Sequence, residues 1–213
     1  SHSYRVLRAT KNRFGSTNEI GVFEMRGDGL KDVTNPSEIF LSERPVDVSG
    51  SVVVAPMEGT RPLLLELQAL VTSSSLANPR RMTTGLDNNR VSLLVAILEK
   101  KMGLNLQNED VYLNVAGGAR IYEPGVDLGA VSAITSSLKD QSIDPYTVII
   151  GEVGLAGEVR AVPHAEIRVK EAEKLGFKKA ILPADNITGF EREATISLVE
   201  VRSVQEAFEE LLC

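Results

Sequence analysis

The chain has 213 residues, with 23 Lys+Arg against 29 Asp+Glu and a formal net charge of −6. Hydrophobic residues at 43% and charged residues at 24% exclude a disordered or low-complexity chain and fit a globular one long enough to bury a core. No apolar run approaches the roughly 20 residues of a bilayer span, and the one cysteine, Cys213, can close no internal disulfide, so a reducing, cytoplasmic setting is expected. Because the first residue is Ser1 rather than Met, the chain is expected to be a piece of a longer protein.

Residues 3–9 alternate as a strand, a turn rich in Gly, Asn and Ser follows, and residues 19–25 alternate again. This is a hairpin-like ribbon with a basic tip: Arg5, Arg8, Lys11, Arg13 and Arg26 stand against Glu19 and Glu24. Over 27–46 the composition shifts to Gly, Asp, Asn, Pro and Ser around a short apolar patch at Ile39–Leu41, which reads as a linker. Two apolar strands then flank the turn Met57 to Pro62. The spacing of Val91, Leu94, Val95 and Leu98 predicts a helix over 88–102, capped by Asp87 and stopped by Gly103.

Beyond it strands and helices alternate: strand 110–118, helix 126–140, strand 147–154, and helix 163–176 with Pro163 in its first turn and Gly176 at its end. Short strands near 179–186 and 196–202 precede a closing helix over 204–212, whose Val204, Phe208 and Leu211 form a docking face. The alternation predicts an α/β (α+β) domain with helices packed on a mixed sheet.

Several chemistries lack their residues. There is no G-x-x-x-x-G-K-[ST] phosphate loop, and Gly117–Gly118 has neither the third glycine nor the acidic ribose partner of a dinucleotide site. His2, His164 and Cys213 are too few for a zinc centre, so no metal site is expected. His164 reads as a satisfied or exposed structural residue. With no Trp and 5% aromatics, no platform for stacking bases is expected; Phe23, Phe40 and Tyr122 read as core or interface rings, and Phe14 alone stays open to stacking on a base.

Two segments carry a family resemblance. Lys11-Asn12-Arg13-Phe14-Gly15 resembles the KNRFG signature that follows the ATPase core in the RadA (Sms) family of bacterial DNA repair proteins. GEVGLAGEVRAVP, Gly151 to Pro163, with its following helix and GFKKAILPADN, resembles the C-terminal half of the Lon proteolytic domain, which that family carries as a tail. The resemblance implies that residues 1–26 end a RecA-like ATPase domain, 27–46 form a linker, and 47–213 form a Lon-protease-like domain of the ribosomal protein S5 domain 2-like fold. ATP with Mg and zinc would belong to absent N-terminal parts, with no cofactor in this fragment.

Lon proteases use a Ser-Lys dyad. By resemblance the serine position, in Pro124-Gly125-Val126-Asp127-Leu128-Gly129, is Asp127, and the lysine position is Glu166. Neither carboxylate can replace the lost group, so no proteolysis is expected. A relocated dyad of Ser132 and Lys139 would lie two helical turns apart, too far for a hydrogen bond along one helix.

The resemblance further implies an ATP-dependent motor for branch migration in the full-length parent, in which Lon-like domains form a hexameric ring. Lys11, Asn12, Arg13, Phe14 and Gly15 would sense ATP across a subunit interface or couple to DNA. Arg80, Arg81 and Arg90 are candidates for phosphate contacts with single-stranded or branched DNA, with pairing to carboxylates such as Asp127 across an interface as the competing role. A RecA-type recombinase is a further expected partner. Two alternatives stand beside this: an active Lon-like serine peptidase with a non-standard dyad, and a ring scaffold without DNA contact.

Overall fold

The computed structural model describes residues 4–8, 13, 20–33, 35–75, 78–188, 190 and 195–212. In chain order the first elements are β1 (Tyr4–Arg8), β2 (Ile20–Arg26), β3 (Gly29–Asp32), α1 (Pro36–Leu41), β4 (Ser51–Val54), β5 (Met57–Glu58), β6 (Arg61–Pro62), β7 (Leu65–Ser73) and β8 (Arg81–Thr84). There follow α2 (Asn88–Met102), β9 (Glu109–Val115), α3 (Asp127–Lys139), β10 (Thr147–Ile149), β11 (Glu152–Val153), β12 (Val159–Arg160) and α4 (Ala165–Lys174). The last are β13 (Lys179–Pro183), α5 (Ala184–Ile187), β14 (Ser197–Val201) and α6 (Val204–Leu211).

A seven-stranded sheet runs in the order β14-β13-β10-β4-β7-β9-β8. It is mixed α/β and mostly parallel: β14, β13, β10 and β4 are parallel neighbours, β7 is antiparallel to both β4 and β9, and β8 is parallel to β9. The sequence runs that read as uninterrupted apolar stretches belong to strands covered on both faces. In β4, Val52 and Val54 join the core shared with α2, α3 and α6, whereas Val53 joins the core shared with α4. Ile149 divides from Val148 in the same way, and Ile181 from Ala180 and Leu182. Across β9 and β8 only one face is covered. There Val111, Leu113 and Val115 of β9 face the core, while Tyr112 and Asn114 stand only half-buried on the alternate face.

The predicted helix over 88–102 is α2, with Asp87 accepting the Asn89 amide and Gly103 ending it in the left-handed region at φ 66°. Val91, Leu94, Val95 and Leu98 are all buried. α3 sits against β4 closely enough that a Cβ on Gly129 would lie 2.2 Å from Val54 Cγ1, so only glycine permits this approach. Val204, Phe208 and Leu211 of α6 are buried as expected.

The segment expected to be a linker with one short element holds two. β3 continues the ribbon as a third antiparallel strand, pairing Phe23 with Asp32 through Arg26 with Gly29. α1 is anchored on the large sheet through Ser37, which is fully buried, accepts the Leu64 amide at 3.0 Å and donates to Glu171 at 3.3 Å. Its composition hid this, because one small polar side chain carries the anchorage. β8 also had no sequence forecast: four residues paired in parallel with a strand 25 or more positions away leave little local signature.

Candidate functional site

The N-termini of α2 and α3 meet at a buried ion pair. Arg90, in the first turn of α2, donates from Nε to Asp127 Oδ1 at 3.0 Å and from Nη2 to Oδ2 in a bidentate fork. Asp127 also accepts the Val153 amide at 3.2 Å, and Arg90 Nη2 reaches the Val153 carbonyl at 3.2 Å. The two side chains thus staple β11 to both helices. Asp127 exposes 3% of its side chain and Arg90 31%.

The electrostatics are uneven. The hydrogen bond to Asp127 raises the Arg90 guanidinium above its ordinary value, whereas burial pushes the Asp127 carboxyl up against the opposing pull of Arg90 and the Val153 amide. The geometry decides in favour of an ion pair, because both carboxylate oxygens are held by guanidinium hydrogens. The direction at Asp127 says that desolvation costs more than those bonds return, as is common for buried pairs.

A second buried pair was not legible as such in the sequence. Arg168 of α4 exposes none of its side chain and holds Glu123 through Nη1 at 2.6 Å and Nη2 at 2.8 Å. Its other donors reach the Ala55 carbonyl at 2.8 Å and the Pro163 carbonyl at 3.0 Å, and Glu123 accepts the Met57 amide at 2.7 Å. The available signal was the placement of Arg168 on the stripe of Ala165, Val169 and Ala172.

Between these pairs opens a cleft of about 260 Å³. Val91, Leu94, Val126 and Ala130 form its apolar floor, with Asp87, Tyr122 and Glu152 at its rim. Asp127 lies in its wall at the N-terminus of α3. Glu166, the other position expected to have lost dyad chemistry, pairs instead with Lys170 one turn along α4 at 2.5 Å and shares no partner with Asp127. Ser132 is fully buried and donates to the Leu128 carbonyl at 2.7 Å, while Lys139 is exposed at the far end of the helix.

The three arginines expected to meet DNA fare differently. Arg90 is taken by Asp127 within the same chain, so the carboxylate considered as an interface partner for Arg80 and Arg81 already has its cation. Arg81 donates to the Arg80 carbonyl at 3.1 Å, the Leu106 carbonyl at 2.7 Å and the Glu109 carbonyl, which ties β8 to the loop before β9. Arg80 remains exposed beside Asp110, whose carboxyl is held below its ordinary value chiefly by the Arg80 amide at 2.6 Å. Of the KNRFG residues, Arg13 is exposed, and Lys11, Asn12, Phe14 and Gly15 lie outside the described residues. His164 is exposed at the start of α4. Tyr122 is 79% exposed and so belongs to no core within the chain, because its neighbours Ile121 and Glu123 supply the inward contacts of that segment.

Among the described residues no cluster of His, Cys, Asp and Glu could hold a metal ion, and no helix is long and apolar enough to cross a membrane. The fold and its cleft define a mixed α/β domain, and residues 83–186 match the family described as subunit ChlI of Mg-chelatase. Over nearly its whole length the chain is homologous to bacterial DNA repair protein RadA. The RadA of Halalkalibacterium halodurans is 57% identical over 98% of this chain and 46% of its own length. That of Bacillus subtilis is 57% identical over 97% and 45%, and that of Streptococcus pneumoniae 50% identical over 99% and 50%. The chain spans about half the length of the curated relatives it matches.

Proposed function

We propose that residues 47–213 are a Lon-like domain that has lost proteolysis, and that the chain acts in DNA repair as a cytoplasmic, ring-forming, DNA-contacting part of a RadA-type protein. In this reading residues 1–26 close an ATPase domain, 27–46 join the two, and the whole protein is a DNA-dependent ATPase that promotes branch migration as a hexamer. The KNRFG residues couple ATP to DNA or to a neighbouring subunit, and a RecA-type recombinase is the expected protein partner. Any ATP, Mg or zinc belongs to the whole protein rather than to residues 47–213.

The observation that carries the non-proteolytic reading is the Arg90–Asp127 pair. The position where a serine would stand holds a carboxylate whose two oxygens are already bonded, and a bonded carboxylate cannot serve as the acyl-accepting nucleophile of peptide hydrolysis. The names of the relatives supply the setting of DNA repair.

The test is fluorescence anisotropy of labelled single-stranded DNA titrated with the chain at low and physiological salt. Binding that falls steeply with salt, and that weakens in Arg80→Ala, supports the reading, because phosphate contacts release counterions. A specific observation favours a second reading, a scaffold without DNA contact: Arg81 and Arg90 are both bonded within the chain. No binding at low salt would favour that scaffold.

A further inference from the structure

We infer that the cleft between α2 and α3 receives an arginine side chain presented by an extended segment of a partner protein.

Size limits the occupant. At about 260 Å³ the cleft has room for one long side chain entering from outside.

Charge sets its sign. Of the four carboxylates around the cleft, Asp127 is neutralised by Arg90 and Glu123 by Arg168. Asp87 and Glu152 are left over. Asp87 accepts one backbone amide, and the Glu152 carboxylate has no hydrogen bond or ion pair among the described residues. Glu152 is close enough to act electrostatically on both Arg90 and Asp127, so its charge is directed toward the cleft. Counting Arg90 and Arg168 against the four carboxylates, the surroundings of the cleft stay net negative, which disfavours phosphate and attracts a cation.

The floor selects among cations. Val91, Leu94, Val126 and Ala130 offer apolar surface below the acidic rim. A long aliphatic stem can cover such a floor while its charged head stays at the edge. Tyr122 lines the cleft with 79% of its surface free, an exposed ring of the kind on which a planar guanidinium stacks. Aromatic lip, paired carboxylates and apolar floor together favour arginine over lysine.

The inference is independent of DNA binding, which involves Arg80 on another part of the surface. It is tested by isothermal titration of the 213-residue chain with acetyl-Leu-Arg-Leu-amide and with the same peptide carrying citrulline, which keeps the shape of arginine without its charge. The arginine peptide is expected to bind saturably and the citrulline peptide about tenfold more weakly. Glu152→Gln and Tyr122→Ala should each weaken the arginine peptide severalfold, while Arg80→Ala leaves it unchanged. Because both altered side chains are peripheral to the core, each variant should fold, and circular dichroism checks this. No saturation at about 10 mM peptide, equal binding of the two peptides, or full affinity in either cleft variant overturns the inference.

Discussion

Arg168 and Glu123, 45 positions apart, meet in a two-pronged ion pair that joins α4 to the segment before α3. Arg168 also closes two backbone carbonyls, at Ala55 and Pro163. Replacing it by alanine therefore leaves Glu123 with only the Met57 amide and no counter-charge, and takes a donor from each of the two carbonyls. Arg168→Ala should lose roughly 3–5 kcal/mol of stability, read as a lower urea midpoint. Arg168→Lys should recover only part of this, since an ammonium cannot reproduce the planar fork. A loss below about 1 kcal/mol in Arg168→Ala would remove the pair from the forces holding α4.

Asp127 should tolerate an amide better than a methyl group. Asp127→Asn keeps one acceptor oxygen for Arg90 Nη2 and the Val153 amide but turns an NH2 toward Arg90 Nε and removes its counter-charge, so it should cost about 1–2 kcal/mol. Asp127→Ala strands the Arg90 guanidinium and should cost more, about 3 kcal/mol. Asp127→Ser should generate no peptidase activity on an unfolded protein substrate, because Glu166 supplies no amine. Cleavage by that variant would revive the peptidase reading.

The pH dependence has a definite sign. Burial raises the folded-state value of Asp127 above its unfolded value, so the folded state binds the proton more tightly. Stability from this group is highest in acid and falls as pH climbs from about 4 through the raised value. Asp110 and Glu158 are shifted the other way, and their contribution is lost as pH falls through their lowered values. Subtracting the urea-derived stability profile of Asp127→Asn from that of the unaltered chain should isolate a component that declines with rising pH. A flat difference would contradict the shift.

At Gly129 two effects compete. Alanine would improve helix propensity by about 1 kcal/mol, but its Cβ would fall 2.2 Å from Val54 Cγ1. Overpacking of this kind costs about 1–3 kcal/mol, so Gly129→Ala should be net destabilising, with a lower thermal midpoint. An unchanged or higher midpoint would mean that α3 can move off β4.

A smaller effect is expected at α6, where Ser203 accepts the Glu206 amide at 3.2 Å and Glu206 reaches back to the Arg202 amide at 2.7 Å. Ser203→Ala should cost about 1 kcal/mol.

Where the sequence was informative, the signals were local. Asp87, the apolar spacing and Gly103 delimit α2 without reference to the rest of the chain. Ser203-x-x-Glu206 carried a similar start signal for α6 that its hydrophobic stripe made unnecessary. The order of the strands was not legible, because runs such as Val52–Val54 and Val148–Ile150 announce burial on two faces without naming their neighbours. Asp127 drew notice only through the family resemblance, which implies a nucleophile position there, and its partner was not legible at all: Arg90 sits in a predicted helix start, where a solvated cation and a buried one look alike. Arg81 illustrates the same limit, since its bonds to three carbonyls depend on the path of a distant loop.

The unequal covering of the sheet has a kinetic counterpart. Amides of β10 and β13, enclosed between helices on both sides, should exchange with deuterium only when the whole domain opens. β8, four residues long at the sheet margin, and its neighbour β9 should exchange through smaller excursions. Leu70, Tyr112 and Met82 lie in register across this half, with Leu70 58% and Met82 55% exposed. The margin expected to loosen first is thus also one that shows water an aligned row of apolar side chains, so transient opening there would raise the chain's tendency to self-associate on warming.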